Sequence, residues 1–196
     1  MKAFFSELRG ALVSIVILAV VCCGLYPAVV TGISRLMFKS KADGSLITDK
    51  NGVLRGSSLL GQNFTGEKYF RSRPSAAGTN GYDTSSSGGS NLGPTSQKLA
   101  DQIQERMAAY RMENGLAADQ PVPADAVTAS ASGLDPHISP ANAALQIGRV
   151  AKARHLSVEK VRELVAESTD KEDLGLLGDP GVSVLKLNLA LDQLRE

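Results

Sequence analysis

The sequence predicts an α+β soluble domain, about three helices with a small sheet, tethered by one N-terminal transmembrane helix. Three observations predict it. Residues 11–33 carry no charged side chain, although Arg9 and Arg35 flank them closely. Three later stretches repeat apolar residues at three- to four-residue spacing behind a Ser or Thr cap. Around them lie short β-like segments broken by Gly, Pro and Asn. A helix rises about 1.5 Å per residue, so roughly 20 apolar residues cross a hydrocarbon core about 30 Å thick.

The span, residues 12–33, has a cleaved secretory signal as its rival reading, because Lys2 and Arg9 precede an apolar run. A signal's apolar region is usually about 7–15 residues long and closes at a small-x-small site. Here the run continues past Gly24 without such a site. Val20 and Val21 stand before Cys22 and Cys23, where a lipoprotein signal needs small residues. An uncleaved anchor is expected. Gly24 and Pro27 soften its second half, which membrane helices tolerate when neighbours satisfy the freed carbonyl. The expected division is a short segment at 1–10, a transmembrane helix at 11–33 and one domain at 34–196. The flanking charges, Lys2 and Arg9 against Arg35, Lys39 and Lys41, leave the orientation open.

The formal net charge is +1, and Lys2, Glu7 and Arg9 account for it. A neutral domain without a basic stripe argues against nucleic-acid binding, which needs clustered cations to displace counterions. Both cysteines lie inside the span, so the domain has no disulfide. Two histidines and no domain cysteine argue against a structural zinc site, and no metal ligand is assigned. No second apolar run reaches membrane length, since Lys186 and Asn188 interrupt the best one.

Within the domain, Ala42-Asp-Gly44 and Asp49-Lys-Asn-Gly52 are turn signals. The second faintly echoes the phosphorylation loop of P-type ATPases, but an Asn-Gly turn between short strands is the better reading. Residues 58–62 and 68–70 read as short strands. In Arg71-Ser-Arg73, two arginines flank a serine; they could form an anion or carboxylate fork, or simply pair with neighbouring acids. Residues 77–96 form a long Gly/Ser-rich polar loop. Its Ser87, Gly88, Gly89 and Ser90 echo the Ser-Gly-Gly core of the ABC-transporter signature, so they are the candidate nucleotide-binding residues. No Walker A pattern occurs.

Thr95 or Ser96 caps the first domain helix, which runs to about residue 113 with Leu99, Ile103, Met107 and Tyr110 as its apolar stripe, and Gly115 ends it. Four prolines between residues 121 and 140 preclude a long helix there. Thr128, Ser130 and Ser132 alternate with alanines in a strand-like pattern. Ser132, Asp135 and His137 invite a hydrolase reading, yet no Gly-x-Ser-x-Gly elbow exists and a triad is defined by geometry. Asp135-Pro136 reads more simply as a turn leading to Ser139, the cap of the second helix, with Pro140 at its first position. That helix reaches about residue 154 and is expected to bury Ala144, Ile147, Val150 and Ala151. Ser157 caps the third, with Val158, Val161, Leu164 and Val165 inward. Residues 174–181 read as a turn-rich connection and 182–187 as a strand, with a short helix over 188–195.

Taken together, the anchor and a set of motifs resemble one family. The motifs are Tyr69-Phe-Arg-Ser-Arg-Pro-Ser75, Ser87-Gly-Gly-Ser-Asn-Leu-Gly-Pro94, the block from Val122 to Leu134-Asp-Pro-His-Ile-Ser-Pro140, Arg149-Val-Ala-Lys-Ala-Arg154 and Val184-Leu-Lys-Leu-Asn-Leu-Ala-Leu191. They look like the C subunit of the bacterial Kdp high-affinity potassium-transporting P-type ATPase, in order and over essentially the whole chain. The resemblance implies an inner-membrane complex with a channel-like potassium-binding subunit, a P-type ATPase subunit and a small single-span subunit. It implies a non-catalytic subunit that stabilises the assembly and acts as a catalytic chaperone, raising the ATP affinity of the hydrolysing subunit. It also implies a cytoplasmic N-terminus and an extracytoplasmic domain. ATP and potassium are then handled by the complex, and no cofactor is held firmly by this chain. An external domain cannot touch a cytoplasmic nucleotide, so an effect through membrane contacts is the favoured route. Arg71, Arg73, Asp135 and His137 lie in the resembling motifs and are candidate partner or structural residues. A membrane-anchored hydrolase using Ser132, Asp135 and His137 is the alternative.

Overall fold

A computed structural model describes residues 2–172 and 175–194, so the ends of two expected segments, Leu174 and Arg195, lie outside it. Two compact units partition the chain, Met1–Leu46 and Ile47–Glu196.

In the first unit, Phe4–Met37 is one helix of 34 residues, long and apolar enough to cross a membrane. It is α-helical over Lys2–Ala19 and Tyr26–Met37, with a π-helical stretch at Val20–Leu25 between them. The Tyr26 N–H donates to the carbonyl of Val21, five residues back. Pro27 explains the widening. It has no N–H to give and its ring crowds the carbonyl four residues earlier, and one wider turn relieves that crowding. A one-turn helix, Lys39–Ala42, follows.

The hairpin of β1 (Leu46–Thr48) and β2 (Leu54–Ser57) carries the expected Asn-Gly turn. The Asp49 carboxylate accepts from the amides of Asn51 and Val53 and from Arg55. The Val53 amide leads in holding its pKa below the ordinary 3.8.

The second unit is built on four helices: α1 (Gln97–Asn114), α2 (Pro140–Arg154), α3 (Val158–Glu167) and α4 (Val184–Gln193). The three serine caps lie where the sequence places them. Ser96, Ser139 and Ser157 accept from Leu99, Asn142 and Lys160, each three residues on. Gly115 ends α1 at φ +64°. A three-stranded antiparallel sheet has β5 (Gly181–Ser183) between β3 (His137–Ile138) and β4 (Thr169–Asp170), so Val182 faces both Ile138 and Thr169. The core joins α2, α3 and α4 to this sheet through residues such as Ile147, Val150, Val161, Val182, Leu187 and Leu191.

Six local expectations are corrected. Residues 58–62 and 68–70 are not strands. Nor are residues 128–132, because a one-turn helix at Ala124–Val127 ends in bends there. The alternation at 182–187 is strand only to Ser183; Val184 starts α4, whose Leu187 and Leu191 lie one helical turn apart and are fully buried. On α2, Ile147, Val150 and Ala151 are buried as expected, but Ala144 is exposed and Asn142, Ala143 and Gln146 are buried, which extends the buried face to one side of the expected one. Val158, at the start of α3, is 39% exposed.

Candidate functional site

Residues 67–75, which the sequence reads in part as a strand, form a strap that turns at 67–69 and then runs against the helices without regular secondary structure. Helix side chains satisfy the backbone groups of Phe70 and Arg71. The Asn188 amide of α4 accepts from Phe70 N at 2.9 Å and donates to Phe70 O at 3.0 Å. The Gln146 amide of α2 does the same for Arg71, at 2.7 and 3.3 Å. Each carboxamide thus offers one donor and one acceptor, as a neighbouring strand would. Two buried guanidiniums take the carbonyls on the strap's N-terminal side. Arg149 donates to Glu67 O and Tyr69 O, and Arg154 to Lys68 O. Burial pushes the Arg149 pKa down, against the pull of Glu113. Arg154 also lies over the Tyr69 ring and pairs with Asp192. The Phe70 and Arg71 backbone groups and the carbonyls of residues 67–69 therefore have partners without a sheet, as buried amides require.

The two strap arginines diverge. Arg71 pairs with Glu113 of α1 at 2.6 Å and donates to Phe64 O. Arg73 pairs with Asp135 at 2.9 Å, and its Nε–H is buried with no hydrogen-bond partner among the described residues. The Arg71-Ser-Arg73 spacing therefore serves two separate acids, the pairing alternative. Both arginines line a cleft of about 270 Å³ with Ser75, Tyr82, Arg106, Tyr110 and Asn142. Tyr110 donates to Asn142 Oδ1 at 2.8 Å. Burial first, then the nearby Asp125 charge, raises the Tyr110 pKa above its ordinary value. Burial likewise raises that of Tyr82, whose hydroxyl donates to Arg73 O.

The polar loop after the strap is held by close backbone approach. Ser75 Oγ donates to Gly133 O and accepts from Ala77 N and Tyr82 N. Gly133 has φ +66°, and a Cβ there would stand 2.7 Å from both Ala77 N and Gly88 O. The nucleotide candidates belong to this contact. Gly88 N–H and Ser87 Oγ both bond the Ser132 carbonyl, and Gly89 packs on Ala131. Ser87, Gly88, Gly89 and Ser90 are not at a helix start, since α1 begins at Gln97. The ABC-type geometry that the echo suggests is not formed.

The hydrolase trio is not assembled either. Ser132 Oγ accepts from Leu134 N. His137 Nε2 meets Asp170 at 2.9 Å, and its Nδ1 lies 3.8 Å from Asp135, which is itself engaged by Arg73. His137 thus links β3 to β4 across the sheet, and Lys186 joins the same Asp170 carboxylate. Asp170 has a lowered pKa: partial burial opposes the shift, and the His137 and Lys186 contacts outweigh it. Among the described residues no group of three His, Cys, Asp or Glu could hold a metal ion.

Sequence reasoning missed Gln146, Asn142 and Asn188 as organising residues. The available signal was polar side chains placed on otherwise apolar helix faces, Asn188 between Leu187 and Leu191 above all.

Comparison with known proteins covers both units. The family model described as the K+-transporting ATPase c chain (KdpC) matches residues 8–193. A Nitratidesulfovibrio vulgaris protein named potassium-transporting ATPase KdpC subunit is 53% identical over 95% of this chain and 93% of its own length. A Mycobacterium bovis protein of the same name is 50% identical over 96% of this chain and 98% of its own. One from Gemmatimonas aurantiaca is 51% identical over 96% and 93%.

Proposed function

The chain belongs to the KdpC family of K+-transporting ATPase C chains, and from that premise we propose that it is a non-catalytic subunit of an ATP-driven, high-affinity potassium uptake complex. Its companions are a channel-like potassium-binding subunit, a P-type ATPase subunit and a small single-span subunit. It sits in the bacterial inner membrane with a single pass, N-terminus cytoplasmic and domain extracytoplasmic. There it stabilises the assembly and raises the ATP affinity of the hydrolysing subunit. The observation that carries this reading is the match over residues 8–193, which takes in the anchor and the domain together.

ATP belongs to the hydrolysing subunit and potassium to the complex. The engagement of Ser87 and Gly88 by Ser132 supports leaving nucleotide to the partner. The influence on ATP affinity then travels through the membrane helix, as a coupling between two states of the pump of about 1–3 kcal/mol. Purifying the companion subunits with and without this chain tests the reading. Without it, the complex should fall apart or need roughly 5- to 150-fold more ATP for potassium-stimulated hydrolysis. An intact complex with unchanged ATP dependence would overturn it.

A further inference from the structure

The wide turn in the N-terminal helix leaves one backbone acceptor without its donor. In an α-helix the Tyr26 N–H would bond the Cys22 carbonyl, four residues back; here it goes to Val21, five residues back. Leu25 lies in the same π-helical stretch, whose bonds run five residues back. In that spacing the donor for Cys22 would be residue 27, which is proline and has no N–H. The Cys22 carbonyl is therefore passed over by both spacings. Side chains do not replace the missing donor. Ser14 and Thr31 stand more than two helical turns away along the helix, and the exposed Tyr26 side chain makes no hydrogen bond among the described residues. Depth sharpens the deficit. Cys22 is the centre of the charge-free run 11–33. At about 1.5 Å per residue it stands about 16 Å from either end, near the middle of a hydrocarbon core about 30 Å thick. Water and headgroups do not reach there, lipid tails carry no donor, and an unpaired carbonyl in hydrocarbon is strongly unfavourable. The surface around it is open within the chain, since Cys22 and Cys23 are both exposed.

We propose that the Cys22 carbonyl is the acceptor for a companion subunit's membrane helix, which packs beside Pro27 and brings one uncharged hydroxyl or carboxamide side chain to it. This rests on the reading of the chain as a subunit of the pump, and it names a contact that its membrane helix makes. The donor is a side chain, because a membrane helix spends its own backbone N–H groups internally. It is uncharged, because a charge at mid-bilayer is costly. Hydroxyl and carboxamide groups are the side chains that hydrogen-bond across membrane helices. The wide turn, which relieves the crowding of Pro27, thus also sets a polar contact point at the depth where only protein can supply the partner.

Cys22 and Cys23 are the only cysteines of the chain, which makes a selective test possible. In a Cys23→Ala chain grown on cysteine isotope-labelled at its carbonyl carbon, Cys22 alone carries the label. Infrared difference spectra, labelled minus unlabelled, are taken of the full chain in detergent and of the complex assembled with unlabelled companions. The labelled band should move to lower frequency on assembly, as a carbonyl's does when it gains a hydrogen bond. Pro27→Ala in the same background restores an N–H and gives Cys22 a donor within the helix. Its band should lie low already in the isolated chain and stay there on assembly, and the complex should be recovered several-fold less. A complex that forms while the Cys22 band stays in place overturns the contact and leaves the subunit assignment standing. A band that is already low in the isolated Cys23→Ala chain overturns it too, because the carbonyl then has a donor of its own. A chain that enters no complex overturns the assignment and the contact together.

Discussion

Along the N-terminal helix Ile15 is 62% exposed and Leu18 60%, while inside the domain Asn142 and Asn188 are each 1% exposed. One region turns apolar side chains outward, and the other buries carboxamides. In water alone both would be unfavourable. The domain resolves its half internally, because each buried amide meets the strap's backbone or another side chain. The helix leaves its apolar surface uncovered within its own unit, as a membrane span does. On the proposed function, folding information sits in the domain's residues and assembly information in the helix's.

The sharpest way to break that separation is at Asn188. Asn188→Ala leaves Phe70 N–H and C=O buried and unpaired, so urea denaturation of the full chain in detergent should show a loss of about 2–5 kcal/mol. Asn188→Leu should be no better despite its apolar bulk. If it were neutral, the strap would not depend on side-chain pairing. Gly133→Ala is expected to cost about 2–4 kcal/mol in the same assay, combining left-handed strain with contact against Ala77 and Gly88.

The opposite prediction holds in the membrane helix. Pro27→Leu restores a donor and removes the cause of the wide turn, so recovery of the assembled complex should fall several-fold. The domain's denaturation midpoint should stay where it was, and a shifted midpoint would join the two regions that the comparison keeps apart.

The smallest effect is a pH dependence at Asp170. A carboxyl with a depressed folded pKa contributes stability above its unfolded pKa and loses it as pH falls through the folded value. The Asp170 contribution should therefore be present above about pH 3.8 and fade below it. Denaturation midpoints between pH 2 and 6 should fall less steeply for Asp170→Asn than for the parent chain. Identical slopes would remove the His137–Asp170–Lys186 cluster from the account.

Local chemistry made much of this fold legible. The three serine caps, the Gly115 stop, the Asn-Gly hairpin turn and the apolar span each follow from a few neighbouring residues. The strap was not legible as such. Residues 68–70 have the composition of a strand, and their backbone does need partners, but those partners are guanidiniums 86 and 80 residues away for Lys68 and Tyr69 and a carboxamide 118 residues away for Phe70. Spacing along one segment cannot show that. The same holds at Ala144: periodicity finds the buried Ile147, Val150 and Ala151, but the burial of Asn142 and Gln146 beside them, with Ala144 left exposed, depends on the strap. The candidate site was partly legible. Arg71 and Arg73 were singled out, but their separate partners, Glu113 and Asp135, come from distant segments that spacing along the motif does not reveal.

Replacing residues 12–33 with a polyleucine helix of equal length tests the central claim most directly. The swapped chain is purified with its companions, and the domain's denaturation midpoint is measured beside potassium-stimulated ATPase activity. The account predicts an unchanged midpoint with loss of co-purification and of ATPase activity at low ATP. A swapped chain that still assembles and supports full activity would contradict it.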